Sequence, residues 1–173
     1  MNNGKKVNVV DFSELKPGGK KYSFSPILRF VTIFFSVFAF VMSIYMIFFR
    51  INANSAMFNK IVPFIILFLA VTSLMKNLFS VNTVTIRQDS IRFSYLGMKS
   101  RTILWGEFRG MSYQDNKPRA IVIEFFRDNK IQKFIFPIGF PHMLEIVNSI
   151  AVKCPDINYD AFLKNVVILP EKK

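Results

Sequence analysis

FVTIFFSVFAFVMSIYMIFF, residues 30–49, and IVPFIILFLAVTSLM, residues 61–75, decide how this chain is built. The first is a run of twenty residues without a charge. At a helical rise of 1.5 Å per residue it spans roughly 30 Å, the thickness of a bilayer's hydrocarbon core. The second spans roughly 22 Å alone. Lys76 can snorkel toward headgroups, so that Asn77, Leu78 and Phe79 lengthen the span to near full thickness. So short a connection, residues 50–60, predicts a transmembrane hairpin with helices over about 27–49 and 61–79. Neither run contains Asp, Glu, His, Lys or Arg, so a transport path or proton relay has no side chain to carry it.

Basic residues orient the hairpin. Lys5, Lys6, Lys16, Lys20, Lys21 and Arg29 precede the first run, and Lys76, Arg87 and Arg92 follow the second. Only Arg50 and Lys60 lie between. The positive-inside rule puts both termini in the cytoplasm, which predicts a two-span protein of the cell membrane. The net charge of +12 divides into +4 over residues 1–29, +3 over 30–80 and +5 over 81–173. Much of the excess is thus juxtamembrane, where it meets anionic lipid, and nucleic acid is not an expected partner. The single cysteine, Cys154, forbids an internal disulfide and fits a reducing compartment.

Residues 1–25 read as a flexible cytoplasmic arm with one short strand around Val7 to Phe12 and a break at Pro17-Gly18-Gly19. The long leader before the apolar run and the lack of a small-residue cleavage site exclude a secretory signal peptide. Ser25-Pro26 starts the first helix, and Pro63 falls in the first turn of the second. Ser36, Ala39 and Ser43 share one face of the first helix, and Ala70 and Ser73 share a face of the second. These small residues are the expected packing surface of the hairpin.

After Phe79 the period changes to alternation. Strands are predicted over Val84–Ile86, Ile91–Tyr95, Lys99–Trp105, Phe108–Tyr113, Ala120–Phe126 and Ile131–Phe136, with turns at Asp89-Ser90, Asp115–Pro118 and Asp128-Asn129. Pro141 opens a helix with Met143, Ile146, Val147 and Ile150 on one face. Residues 81–173 therefore form a cytoplasmic β domain, an antiparallel meander curled into a barrel or sandwich. The chain as a whole is an α+β membrane protein.

The hairpin Thr83–Leu96, the stretch Ile103-Leu104-Trp105-Gly106-Glu107-Phe108, the strand pair Ala120–Phe136 and Phe136-Pro137 leading into a helix resemble the bacterial PH-like domains of small membrane proteins. The resemblance covers about residues 80–153 and the two-helix anchor, with Trp105 as its sharpest mark. It implies a split barrel capped by a C-terminal helix, and no catalytic residues. A seventh strand that it also implies is not apparent between Phe136 and Pro141.

Phosphoinositide-binding PH domains use basic residues around their first hairpin loop. Here Arg87 and Arg92 flank that loop, Lys99 and Arg101 follow, and Gln88-Asp89-Ser90 is too short and acidic to cradle a phosphate. Lys76, Arg87, Arg92, Lys99 and Arg101 are instead expected to rest the domain on anionic lipid, at about 1 kcal/mol per contact.

Chemistry has little to assemble from. His142 is the lone histidine, so no metal cluster or Ser-His-Asp set is expected. Pro17-Gly18-Gly19-Lys20 lacks the strand–loop–helix setting of a phosphate loop. No cofactor and no enzymatic activity are predicted. In the tail, Tyr159, Phe162, Leu163 and Val166 recur at helical spacing before Val167, Ile168 and Leu169. They make either a short helix covering the domain or an exposed segment that docks on a partner.

The expected function is that of a membrane-anchored accessory, scaffolding or regulatory subunit at the inner face of a bacterial membrane. It would work through a protein partner or a homo-oligomer. The alternative is an effector whose β-barrel senses a nucleotide or lipid headgroup and controls oligomerisation of the hairpin. A basic, polar barrel interior would favour the alternative, but Ile86, Phe93, Ile103, Ile121 and Ile123 read as a packed, dry inside.

Overall fold

The computed structural model describes residues 9–52 and 54–167. They divide into two compact units. One is the helical hairpin Phe24–Asn82 together with Tyr95–Lys99. The other is a β unit whose described residues run from 9 to 23, 83 to 94 and 100 to 167.

In the hairpin unit, α1 covers Pro26–Phe49 and α2 covers Met57–Phe79, each long and apolar enough to cross a membrane. Ser25 caps α1 by accepting from the Leu28 amide, and Pro26 sits in the first turn, where a missing N–H costs nothing. Their large side chains point outward: Phe30, Phe48 and Phe58 are 72%, 76% and 73% exposed. Small residues face inward. Ser36, Ser43 and Ala70 are buried. The Ser36 hydroxyl donates to the Thr32 carbonyl at 2.8 Å and shares a hydrogen bond with the Ser73 hydroxyl at 2.7 Å. Ser43 donates to the carbonyl of half-buried Ala39. The second helix starts four residues earlier than its predicted Ile61 and puts Pro63 in its second turn, not its first.

The β unit has the order β1 Lys20–Ser23, β2 Thr83–Ile86, β3 Ser90–Ser94, β4 Arg101–Leu104, a 3-10 turn Trp105–Glu107, β5 Phe108–Gln114, β6 Ala120–Arg127, β7 Lys130–Pro137, α3 Met143–Lys153, β8 Asn158–Tyr159 and α4 Ala161–Val166. One sheet runs β1-β2-β3-β4 and the other β7-β6-β5-β8. All neighbours are antiparallel except β5 with β8. Asp128 and Asn129 both take positive φ, the mirror-image turn whose twist suits a two-residue hairpin.

The inner faces of the two sheets meet through aromatic rings. Phe93 of β3 lies 4.3 Å from Phe134 and 5.4 Å from Phe136 of β7, centroid to centroid. Ile86, Ile91, Ile103, Ile123 and Phe125 fill the rest, with Ile146 and Ile150 of α3 fully buried. Where β4 hands over to β5, Arg127 of β6 pairs with Glu107 at 2.6 Å and donates to the Thr102 carbonyl. The strands lie in two separate sheets, and among the described residues they do not close into one barrel.

The N-terminal arm differs most from expectation. Its strand is β1, not a segment near Val7–Phe12; residues 9–12 are not in a strand, and Val7 lies outside the described residues. β1 pairs along its whole length with β2, from Lys20 opposite Ile86 to Ser23 opposite Thr83. Gly19 makes this approach possible: it takes φ +74°, and a Cβ there would collide with the Ile86 carbonyl oxygen. Further up the arm, Val10 is buried and its amide donates to the Ser149 hydroxyl of α3 at 3.1 Å. The hairpin is thus an insertion between two adjacent strands of one sheet.

Candidate functional site

Alternation along β1, β2 and β3 sorts their side chains. Tyr22, Val84, Ile86, Ile91 and Phe93 point into the core. The outer face of the same sheet therefore carries Lys21 and Ser23 of β1, Thr83 and Thr85 of β2, and Arg92 and Ser94 of β3. Arg87, one residue past β2, continues this face. Register fixes two rows across the strands. Lys21 stands opposite Thr85 and Thr85 opposite Arg92; Ser23 stands opposite Thr83 and Thr83 opposite Ser94. Side chains so paired lie about 5 Å apart at Cβ. Thr85, flanked by the long stems of Lys21 and Arg92, is only 5% exposed although it is polar and on the outer face. A recess of about 390 Å³ opens over these residues.

The electrostatics are one-sided. Lys21, Arg87 and Arg92 supply three cations, and the other side chains lining the recess are hydroxyls. Among the described residues, no carboxylate pairs with any of the three. Arg92 donates from Nη2 to the Ser100 hydroxyl at 3.2 Å, yet its Nε, like that of Arg87, is buried without a hydrogen-bond partner.

Trp105 sets the position of Arg87. It is half-buried at the head of the 3-10 turn, and its indole N–H donates to the carbonyls of Gln88 at 3.0 Å and Arg87 at 3.3 Å. Its backbone amide donates to the Asp89 carbonyl. The ring meets Phe12 edge-on and stacks on Phe108, while Gln88 donates back to the Phe12 carbonyl. The β2–β3 turn is thereby held between the arm and the 3-10 turn.

The five basic residues named from sequence do not gather at one place. Arg87 and Arg92 share the outer face. Arg101 stands opposite Phe93 on the inner side, its guanidinium 5.8 and 5.9 Å from the centroids of Phe125 and Phe134. Lys76 and Lys99 are exposed and belong to the hairpin unit. The residue that sequence reasoning missed is Lys21. Its signal was present in Lys20-Lys21-Tyr22-Ser23, where one aromatic between polar residues follows a glycine, but four residues are too few to outweigh a reading of the arm as flexible.

The tail is mostly interior. Tyr159 and Leu163 are buried, Tyr159 donates to the Cys154 carbonyl at 2.6 Å, and Phe162 stacks on Tyr113 at 4.4 Å while still 48% exposed. Tyr159 and Leu163 thus lie in the interior, whereas Phe162 and Val166 are partly exposed, and Ile168 and Leu169 lie outside the described residues. Cys154 is buried and donates to the Trp105 carbonyl, and burial pushes its thiol pKa up to about 11. His142 is exposed at the start of α3, where its ring packs on Tyr22 and Nδ1 lies 3.6 Å from Glu145. Burial, with the Glu145 carboxylate adding to it, raises the Tyr22 hydroxyl well above its ordinary range. Among the described residues, no three His, Cys, Asp or Glu side chains converge as a metal site.

A second recess of about 340 Å³ lies within the hairpin unit between the start of α1 and the end of α2. Its buried Arg29 donates to the Asn77 carbonyl, to Ser80, and to Asn82 Oδ1 at 2.6 Å. The Asn77 and Ser80 carbonyls are among those that a helix C-terminus leaves open, so Arg29 acts as a cap for α2 contributed by α1, while the Ser80 hydroxyl and Asn82 Oδ1 hold its guanidinium in place.

No protein-family model, curated protein or solved structure matches the chain.

Proposed function

We propose that the chain is a non-catalytic membrane-anchored protein: its hairpin crosses the inner membrane of a bacterium, and both termini and the β unit are cytoplasmic. The observation that carries this reading is the exposure of the large apolar side chains on two helices of 24 and 23 residues, a surface suited to lipid and costly in water. The β unit contributes contact, not chemistry. Its interior is filled mostly by apolar side chains, and it works as an accessory, scaffolding or regulatory subunit. A PH-like architecture for this unit is favoured by its element order, seven strands β1–β7 followed by α3, although the seventh strand comes from the arm and no further strand lies between Phe136 and Pro141.

The alternative, an effector that senses a nucleotide or lipid headgroup, gains support from one feature, the unpaired basic face. That face lies outside the core, so a ligand would be read at the surface and not in a barrel lumen.

Labelling in intact cells tests the anchor. A cysteine at Asn54 should react with a membrane-impermeant maleimide and one at Asn116 should not, against the silent background of buried Cys154. Reaction at residue 116 from outside overturns the orientation, and reaction at neither overturns the span. Affinity purification from native membrane then tests the scaffold: a stoichiometric companion or a homo-oligomer supports it, and a lone monomer sinks it.

A further inference from the structure

We propose that the outer face of the first sheet is a binding site for a phosphomonoester or pyrophosphate group, held by Lys21, Arg87 and Arg92. Three cations converge on one recess with no carboxylate among the described residues to pair with them. Lys21 and Arg92 flank Thr85 from the two neighbouring strands and Arg87 lies just past the end of β2, so like charges gather on one face without a counter-charge.

The chemistry selects the ligand. Guanidinium groups match the oxygens of phosphate by paired N–H donors, and Lys21 adds a mobile point charge. Between them lie the hydroxyls of Ser23, Thr83 and Ser94, which can donate to the remaining oxygens. A monoanionic carboxylate would neutralise only one of the three charges. A dianionic phosphomonoester neutralises two of them, and the more highly charged pyrophosphate can engage all three; the recess is of the size of small-molecule sites. The indole N–H of Trp105 fixes the carbonyls of Arg87 and Gln88 and so makes Trp105 a positioning residue for the site.

The site does not depend on the membrane anchor, and detergent-solubilised full-length chain reads it without a bilayer. Inorganic pyrophosphate titrated into that sample should bind with saturable 1:1 stoichiometry by calorimetry and raise the melting temperature. Sulfate, a smaller dianion of similar geometry, should bind more weakly than pyrophosphate, and chloride at matched ionic strength should do neither. Lys21→Gln and Arg92→Gln should each weaken pyrophosphate at least tenfold, whereas Lys99→Gln should leave it unchanged. Arg92→Lys, which keeps the charge and loses the fork, should fall between. Melting curves without ligand identify any variant that fails to fold, and the exposed Lys21 position provides a change that leaves the core intact.

A second arm separates lipid from soluble ligand. The full chain in nanodiscs of phosphatidylcholine is compared with discs holding phosphatidic acid or, matched in number of charged lipids, phosphatidylglycerol. A melting shift with phosphatidic acid alone that Arg92→Gln abolishes assigns the site to a lipid phosphomonoester. Pyrophosphate binding without that shift assigns it to a soluble phosphate compound. Equal responses to sulfate and pyrophosphate, with no difference between the two lipids, overturn the proposal.

Discussion

The backbone amide of Val10 donates to the hydroxyl of Ser149, 139 residues further along the chain. With β1 at one end of the arm and this bond near the other, residues 10–23 are part of the β unit, not a tether to it. Lys20 reinforces the fastening through a 2.6 Å ion pair with Glu145 of α3.

Gly19→Ala should therefore loosen the arm. The substitution meets the Ile86 carbonyl and places a side chain at φ +74°, a strain of about 1–3 kcal/mol. The full chain should melt at a lower temperature and become sensitive to limited proteolysis within residues 10–23. Resistance equal to the parent would mean that β1 is dispensable.

Trp105→Ala should destabilise the β unit by about 2–4 kcal/mol, below the full cost of a deeply buried tryptophan because the ring is half-exposed. Trp105→Phe should recover most of that stability. It cannot recover the indole N–H bonds to Arg87 and Gln88, so pyrophosphate binding should remain impaired in a protein that folds normally. Full recovery of binding would show that the ring alone positions the turn.

Arg29→Ala should lower the melting temperature of the detergent-solubilised chain, because one side chain serves acceptors on Asn77, Ser80 and Asn82. Arg29→Lys should rescue little, since an ammonium lacks the fork that spans several acceptors. Equivalence of the lysine variant with the parent would show that a positive charge suffices there and the guanidinium fork does not matter.

Acid should weaken the junction at Glu107. Partial burial raises its pKa, but the hydrogen bonds and charge of Arg127 and the Leu104 amide outweigh burial and hold the carboxyl below its ordinary range. A folded-state pKa below the unfolded value means that the pair contributes fully above about pH 4.3 and loses its contribution as pH falls through the folded value. Partly exposed, it is worth at most about 1 kcal/mol. Melting temperature plotted against pH should fall less steeply below pH 5 in Glu107→Gln than in the parent. Identical slopes would exclude this carboxyl as a source of acid sensitivity.

Much of this was legible in the residues. Charge-free runs at Phe30–Phe49 and Ile61–Met75 marked two helices, and alternation after Phe79 marked six strands to within a few residues. The small residues Ser36, Ala70 and Ser73 were already visible as the inward positions of the hairpin. What stayed hidden depended on pairing across long separations. Lys20–Ser23 carries one inward aromatic, Tyr22, and becomes a strand only because β2 lies beside it. The basic face was half legible for the same reason: Arg87 and Arg92 stand five residues apart, whereas Lys21 joins them only through its register with Thr85. Arg101 looked equivalent to Arg92, but the register of β4, with Arg101 opposite Phe93, turns it to the inner side.

The interruption of one sheet by the hairpin orders events at the ribosome. Ser23 and its partner Thr83 are separated by about sixty residues of synthesis, a delay of about 3–12 s at ordinary elongation rates. During that interval β1 waits without a neighbour, and its two lysines keep the nascent segment soluble. The sheet can close only after both helices have been made. A nascent chain arrested before Thr83 lacks that ladder, so the first sheet is completed only once the hairpin has been synthesised.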